Sequence, residues 1–265
     1  MTREVTTSIV LPTFDRAALL PRAIASVQAQ TDGDFELIVV DDGSRDDTAA
    51  VVAAIPDPRI RYVRLPANRG LPAARNAGLA VARGVFVGFQ DSDDEWLPDK
   101  LARQRAVLER RPEVDVVYGD MDRVAADGTV RRHRSPAIVR GRLIDPATGF
   151  WQSYLLAMQP VLMRRRCLDA TRFDEALIRF EDLDLHLRVA RDATYLHVPE
   201  PVVRYHASDG LTTDFDAELR ARWQLLRKWA GTLAGSDPRF LVVEPFRIAL
   251  RRSLMPIVER HLGPA

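Results

Sequence analysis

Three short polar clusters follow apolar runs in the first hundred residues. Residues 12–16 follow the first run, residues 41–44 the second and residues 91–94 the fourth. In open α/β sheets, ligands bind beyond the carboxyl ends of the strands, where separate strand ends meet over one crevice. If the runs are parallel strands, we expect the three clusters to converge on one ligand site.

The cluster Asp91-Ser92-Asp93-Asp94 has the clearest chemistry of the three. Carboxylates this close together repel one another unless they are solvated or bind a cation. Mg²⁺ and Mn²⁺ are typically held by one or two carboxylates plus substrate phosphates. The alternative is an acidic cap for a helix beginning near Pro98, because aspartate favours the positive end of a helix. The position directly after a buried strand favours metal binding.

Residues 41–44 offer a second pair of carboxylates. Asp42 could accept the ring N–H of a pyrimidine, a charge-assisted hydrogen bond that fixes the base. The alternative is a strand-to-helix turn in which Ser44, with Asp47 three residues later, caps the next helix. A hydrolase with an aspartyl nucleophile needs Asp two residues before Asp42, but Val40 stands there. The sequence therefore excludes that class of enzyme.

Four further residues could contribute to a site. Arg69 and Arg75 lie around the start of a predicted helix, which suits a diphosphate, although each could instead belong to a solvated basic face. Asp182 opens another predicted helix, either as a general base or as an acid that interacts with the helix dipole. His206 ends a predicted strand and could ligate a metal or contact a phosphate, but a strand-end histidine is more often structural.

The elements that must position these residues follow from the hydrophobic periodicity. Strands are predicted at residues 8–11, 35–40, 60–65, 85–89 and 114–118, and helices at residues 17–28, 44–55, 71–82 and 98–110. This alternating order predicts an α/β fold with a mostly parallel central sheet flanked by helices. After residue 120 we expect a turn at Asp127-Gly128, a helix at 181–191, short strands at 194–198 and 202–206, and a helical tail.

The composition limits the classes of function. Of 265 residues, 38 are basic and 37 acidic, so the net charge of +1 gives no case for nucleic acid as a partner. The single cysteine, Cys167, excludes an internal disulfide and a cysteine-based zinc site. Without a signal peptide or an apolar run of roughly 18–20 residues, a cytoplasmic protein is expected. The arginines within residues 240–262 leave open a peripheral contact with the inner face of the plasma membrane.

Six motifs, in order, resemble the family 2 glycosyltransferases with the GT-A fold. They lie at residues 8–16, 39–44, 68–70, 74–78, 91–96 and 180–182. Any one of these motifs is weak evidence for the family, whereas six motifs in the right order at plausible spacing are strong evidence. The resemblance implies a GT-A domain over residues 1–212, with a nucleotide-binding half to about residue 120 and a smaller acceptor half at 121–212. A helical C-terminal extension would occupy residues 213–265.

The resemblance also implies how the donor, a nucleoside-diphosphate sugar, is bound. Pro12, Thr13 and Phe14 would flank the nucleoside, although the family often has Tyr or Asn near Phe14. Asp42 would hold the base, with Arg75 or Arg69 nearby.

The remaining roles concern the metal and the reaction. Asp91 and Asp93 match the family's Asp-x-Asp motif, with Asp93 as the best ligand for Mn²⁺ or Mg²⁺ and Asp94 beside the donor sugar. Asp182 matches the catalytic base. Tyr205-His206 resembles a Tyr-Arg-x-His element, but here Arg204 precedes Tyr205, so only His206 is carried over. The resemblance therefore predicts an inverting, metal-dependent hexosyltransferase, with UDP as the favoured nucleotide.

The predicted acceptor is a saccharide or a lipid-linked sugar, selected by residues 131–159. In that segment Phe150, Trp151 and Tyr154 could stack on a sugar or pack as core. Two other functions remain as alternatives. A sugar nucleotidyltransferase would need a glycine-rich loop after the first strand, which residues 12–16 do not contain. A non-catalytic, nucleotide-sugar-binding partner subunit is disfavoured because Asp93 and Asp182 are both present.

Overall fold

The computed structural model describes residues 5–144, 151–152, 156–177, 179–206, 215–236 and 245. The chain divides into two compact units, the first comprising residues 1–142 and 152–208, the second residues 143–151 and 209–265. Every described strand lies in the first unit. The predicted boundary at residue 212, and the division of the first domain near residue 120, stay predictions.

The strands are β1 (Thr7–Thr13), β2 (Phe35–Asp41), β3 (Ile60–Arg64), β4 (Phe86–Phe89), β5 (Glu95–Trp96), β6 (Val116–Val124), β7 (Val130–His133), β8 (Val161–Arg164) and β9 (Tyr195–His206). The helices are α1 (Leu20–Gln28), α2 (Thr48–Ala53), α3 (Leu71–Val81), α4 (Lys100–Arg110), α5 (Arg166–Asp169), α6 (Glu181–Val189) and α7 (Phe215–Ser236).

The strands form one sheet in the order β3-β2-β1-β4-β8-β6-β9-β5, with β7 paired to β6. The half built from β3, β2, β1 and β4 is parallel, as the alternating strand and helix pattern predicts. The other half is mixed, because β8 runs antiparallel to both β4 and β6 while β9 runs parallel to β6. The predicted α/β class, with helices flanking a central sheet, is confirmed.

The central strands β1 and β2 are buried along their whole length. This follows from a parallel strand covered by helices on both faces, since alternate side chains point to opposite sides. Val10 and Val40 pack in one cluster with Leu79 of α3. Ile9 packs in a second cluster with Ile24 of α1. The two clusters fix the carboxyl ends of these strands at one edge of the sheet.

Two local predictions are wrong. Ser44 does not cap α2, which follows Asp47 without any side-chain capping bond. The Oγ of Ser44 instead accepts the backbone N–H of Asp15 at 2.9 Å, a partner 29 residues away that a local pattern cannot reveal. The short strands predicted at 194–198 and 202–206 are one strand, β9, because it pairs with β6 along its length through a register shift near Asp120.

The described part of the second unit consists mainly of α7, within the predicted helical extension. The Trp151 and Trp229 rings of this unit meet edge to face, with centroids 6.3 Å apart. Trp151 is buried, whereas Phe150, Tyr154 and most of residues 240–262 lie outside the described residues. None of the described helices combines the length and the apolar character that crossing a bilayer requires.

Gly78 of α3 lies where the helix touches the sheet. A Cβ there would clash with Cγ1 of Val10 and lie 3.1 Å from Cγ2 of Val40. We expect Gly78→Ala to lower the free energy of unfolding by about 1–3 kcal/mol, because overpacking outweighs alanine's better helix propensity. Urea unfolding measures this difference. In the control Gly33→Ala the nearest atom is 3.7 Å away, at Arg59, so an equal loss in both variants would contradict the packing explanation.

Candidate functional site

The structure brings the three polar clusters together at the carboxyl ends of β1, β2 and β4. The backbone N–H of Asp42 donates to the carbonyl of Thr13 at 2.9 Å, joining the first two clusters. Arg16 forms an ion pair with the carboxylate of Asp93, joining the first to the third. The crevice predicted from separate strand ends is therefore one continuous polar region.

Arg75 lies at the centre of this region. Its side chain is only 3% exposed, so it does not belong to a solvated basic face. One guanidinium nitrogen donates to Glu181 at 2.8 Å, and another donates to Asp91 at 2.9 Å. The guanidinium also stacks 5.3 Å from the centroid of the Phe173 ring. Arg75 therefore ties the acidic cluster after β4 to the start of α6.

The first turn of α6 presents two adjacent carboxyl groups, Glu181 and Asp182. The preceding residue, Phe180, has a φ of 62°, a left-handed conformation that non-glycine residues rarely adopt and that is common at functional sites. Burial and the neighbouring charge of Asp182 raise the pKa of Glu181 to about 7, although Arg75 opposes this shift. Burial also raises the pKa of Asp182, and Asp91 adds to the effect while Arg75 opposes it.

Both interpretations of Asp182 fit the structure. It stands in the first turn of α6, where an acid interacts favourably with the helix dipole. It also shares the electrostatic environment of Asp91 and Arg75. A carboxylate with a raised pKa is a stronger base than an ordinary aspartate, so the direction of this shift suits a proton acceptor.

Gln159 belongs to the same network and was missed from the sequence. Its side-chain amide donates to Asp91 at 2.5 Å and to Asp94 at 2.8 Å. These partners lie 68 and 65 residues earlier in the chain, and no motif surrounds Gln159 that could have marked it. The second oxygen of Asp94 accepts the backbone N–H of His206 at 2.9 Å. Burial, together with the charge of Asp91, raises the pKa of Asp94 to about 8.

Residues 91–94 do not cap the next helix. The residue before α4 is Asp99, which makes no side-chain capping bond, and β5 lies between the cluster and the helix. The cluster instead makes tertiary contacts, including the donation from Arg22 to the backbone carbonyl of Asp93 at 2.5 Å. The ring Nε2 of His206 lies 2.6 Å from Glu95, so this histidine is held at the edge of the cluster.

The donor set at Asp91 and Asp93 fits a divalent cation that arrives with a diphosphate. The two side chains are 24% and 20% exposed and supply carboxylate oxygens. Within the described part of the chain, no group of three His, Cys, Asp or Glu side chains could hold a metal ion alone. Mg²⁺ and Mn²⁺ commonly use one or two carboxylates and complete their shell with substrate phosphates and water.

Asp42 holds the loop that leads into α3. Its two oxygens accept the backbone N–H groups of Arg69 at 2.8 Å and of Gly70 at 2.7 Å. Gly43 has a φ of 79°, and a Cβ there would lie 2.8 Å from the backbone of Ala67, so only glycine permits this close approach. A carboxylate offers about four acceptor positions. Asp42 therefore retains capacity for one more donor, such as a base.

The other predicted donor contacts differ in accessibility. Pro12 and Thr13 are buried at the end of β1, whereas Phe14 is 37% exposed and available for stacking. The side chain of Arg69 points to Glu175, with a contact of 2.7 Å. The predicted residues thus lie in one region of the structure. Arg69 and Arg75, however, form ion pairs with carboxylates of the chain itself.

The raised pKa of Glu181 predicts a pH-dependent stability. Its pKa changes from 4.5 to about 7 on folding. A group with a higher pKa in the folded state stabilises the fold at low pH, and this contribution is lost as the pH rises through that value. Relative to the native protein, Glu181→Gln should therefore become more stable between pH 5 and pH 8, by on the order of 2–3 kcal/mol.

Urea unfolding at both pH values measures this change. Glu113→Gln, at an exposed position, is the control and should show no comparable pH-dependent difference. A difference between Glu181→Gln and the native protein that does not vary with pH would show that Glu181 does not titrate in this range.

The fold is similar to that of solved glycosyltransferases. The S. aureus TarS fragment 1–349 in complex with UDP-GlcNAc matches 83% of this chain and 66% of its own, with a TM-score of 0.65 and 21% identity. The mannosyltransferase PcManGT from Pyrobaculum calidifontis, in complex with GDP-Man and Mn²⁺, matches 98% of this chain and 76% of its own. Its TM-score is 0.65 and its identity 17%. At these identities the likeness shows the fold alone.

Comparisons of the amino-acid sequence identify the family as well as the fold. The succinoglycan biosynthesis protein ExoO of Rhizobium meliloti (strain 1021) is 33% identical over 271 residues, covering 96% of this chain and 76% of ExoO. The Escherichia coli UDP-Glc:alpha-D-GlcNAc-diphosphoundecaprenol beta-1,3-glucosyltransferase WfgD is 32% identical, covering 83% of this chain and 84% of WfgD. The family model Glycosyl transferase family 2 matches residues 8–170. With this match over most of the first unit, the chain belongs to glycosyl transferase family 2 and is a glycosyltransferase.

Proposed function

We propose that this enzyme moves a hexosyl group from a nucleoside-diphosphate sugar, with UDP favoured, to a hydroxyl of a saccharide or lipid-linked acceptor, with inversion at the anomeric carbon. The observation that carries this proposal is the bridge made by Arg75. It joins Asp91, in the position of the Asp-x-Asp motif, to Glu181, the neighbour of the proposed base Asp182. Groups for the leaving diphosphate and for the attacking hydroxyl thus belong to one site.

The relatives support the donor and acceptor classes. The TarS structure holds UDP-GlcNAc, and the PcManGT structure holds GDP-Man with Mn²⁺. WfgD is named as an enzyme that uses UDP-Glc and a lipid-linked diphosphate acceptor, and ExoO as a protein of succinoglycan biosynthesis. The proposal therefore places this enzyme in the assembly of a polysaccharide or glycolipid.

The nucleoside would bind between the first two clusters. Phe14 is exposed for stacking, and Asp42, with its remaining acceptor capacity, would take the ring N–H of the base. Pro12 and Thr13 shape this end of β1. The N-terminal end of α3 is held by Asp42 through Gly70, and the backbone N–H groups of this helix end would suit the diphosphate.

Asp93 and Asp91 would hold Mn²⁺ or Mg²⁺, with His206 at the edge of their cluster as a further candidate ligand. When bound, the ion supplies Lewis-acid stabilisation of the departing diphosphate. In the structure the carboxylate of Asp93 is paired with Arg16, and Asp91 is held by Arg75 and Gln159. Asp94, whose raised pKa favours its protonated form at neutral pH, adds little negative charge beside the donor sugar.

Asp182 would act as the general base. Its carboxylate takes the proton of the acceptor hydroxyl while the oxygen attacks the anomeric carbon. The bond from that carbon to the diphosphate breaks on the opposite side, so one displacement inverts the configuration. Burial raises the pKa of Asp182 and Asp91 adds to this, while the positive charge of Arg75 acts in the opposite direction and favours the ionised form that a base requires.

Replacing the proposed base tests the reaction step. Asp182→Asn should lower kcat for sugar transfer by about 10²–10⁴-fold, the usual contribution of a general base, because an amide cannot accept the proton. The Kd for the nucleotide should stay near that of the native protein. Transfer with native kinetics in this variant would remove Asp182 from the mechanism.

Donor binding is tested separately by calorimetry. We expect one of UDP, dTDP, GDP or CDP to bind in the presence of Mn²⁺, with UDP favoured, and this binding to be lost without metal or in Asp93→Ala. Asp169→Ala, at an exposed position away from the cluster, is the matched control and should bind normally. If none of the nucleotides binds, the donor site is refuted. Binding without any transfer by the isolated chain would favour the non-catalytic partner subunit instead.

A further inference from the structure

The hairpin of β6 and β7 places two arginines directly opposite each other. Arg123 of β6 is the register partner of Arg131 of β7, and both side chains are exposed. Like charges at directly opposed positions of an antiparallel pair are unfavourable for folding. A bound anion would relieve this repulsion.

The neighbouring position of the same hairpin is neutralised. Asp122 stands opposite Arg132, and the two side chains form an ion pair at 2.7 Å. Side chains alternate between the faces of a strand, so this ion pair lies on the other face of the hairpin. Among the described residues, neither Arg123 nor Arg131 has a carboxylate partner. The hairpin therefore has one balanced face and one cationic face.

The cationic face continues onto β9. Arg123 is the register partner of Tyr205, and its guanidinium lies 5.9 Å from the centroid of the Tyr205 ring. The neighbouring positions on this face are Met121, His133 and Val203, and none of these residues has a carboxylate. Two guanidinium groups and one aromatic ring thus form a row across three strands, which we call the arginine row (Arg123, Arg131 and Tyr205).

The arginine row borders the proposed active site. Tyr205 precedes His206, whose backbone N–H binds Asp94. Burial raises the pKa of Tyr205, and the charges of Asp94 and Asp93 add to the shift, as expected for a ring close to the acidic cluster. Neighbouring strands are about 4.8 Å apart, so Arg131 lies roughly 10 Å from the Tyr205 backbone. An acceptor that leaves the site at Tyr205 and extends across β6 to β7 would reach both arginines.

We propose that Arg123 and Arg131 bind the diphosphate of a lipid-linked acceptor, with Tyr205 contacting the sugar next to it. This inference rests on the proposed function and names the acceptor class for the same site. Two adjacent guanidinium groups provide paired N–H donors that match phosphate oxygens and two negative charges. A tyrosine beside them offers a face for a sugar ring. The diphosphate of the donor would bind near Asp91 and Asp93. The arginine row therefore remains available for the diphosphate of the acceptor.

Farnesyl diphosphate is a soluble probe of this chemistry. Its binding is measured by calorimetry in EDTA, so that metal-dependent binding of a diphosphate at Asp91 and Asp93 is suppressed. The double variant Arg123→Gln and Arg131→Gln should weaken binding by about tenfold or more, the size expected when hydrogen bonds to a charged group are lost. The matched control replaces the exposed Arg110 and Arg111 with Gln and should keep the native affinity.

Farnesol and inorganic pyrophosphate identify which part of the probe is recognised. Farnesol should bind at least tenfold more weakly than farnesyl diphosphate, because it lacks the anionic group. The inference is overturned if farnesyl diphosphate does not bind, or if the double variant binds it as tightly as the native protein. It is also overturned if the control loses as much affinity, or if pyrophosphate binds equally well to the native protein and to the double variant.

Two further measurements separate this inference from the proposed function. The double variant should bind the nucleotide with Mn²⁺ as the native protein does, and its thermal stability should not fall, since a repulsive pair has been removed. A native protein that binds no nucleotide would refute the donor site. Normal nucleotide binding with unchanged affinity for farnesyl diphosphate in the double variant would refute the acceptor inference alone.

Discussion

The candidate site depends on one buried, positively charged side chain, that of Arg75. Arg75 is almost fully enclosed, and a buried charge is tolerated only when it is paired and hydrogen-bonded. Its partners, Asp91 after β4 and Glu181 at the start of α6, are far apart in the chain. Because the guanidinium is rigid and planar, it fixes the distance and orientation between them. The geometry of the acidic motif and of the proposed base is thus set by a residue on a third element, α3.

Around Arg75 the carboxyl groups divide into two kinds. Glu181 and Asp94 are buried, and burial raises the pKa of each toward or above neutrality. Asp91 and Asp93 remain partly exposed, so they are the ones accessible to a cation. The side-chain amide of Gln159 donates both to Asp91, which is partly exposed, and to Asp94, which is buried, and so links the two kinds of carboxyl group. A dense acidic cluster can therefore exist without carrying its full negative charge.

The two halves of the sheet make different contributions to the site. The parallel half supplies the strand ends that gather residues 12–16, 41–44 and 91–94, the part shared with a nucleotide-binding fold. The mixed half supplies Gln159 before β8 and His206 at the end of β9. The register of β6 against β7 and β9 then places Arg123 and Arg131 next to this edge. In the proposed function, the donor binds to the first half and the acceptor to the second.

The sequence alone predicted the parallel half, its helices and the convergence of the three clusters, because hydrophobic periodicity and polar strand ends are local patterns. The ordered motifs also identified the family. Only the tertiary structure decided how the charges pair, since the partners of Arg75, Asp94 and Ser44 lie tens of residues away. It likewise decided the antiparallel β8, the role of Gln159 and the opposition of Arg123 to Arg131. Those contacts are set by strand register and packing, which bring together residues that have no relation along the chain.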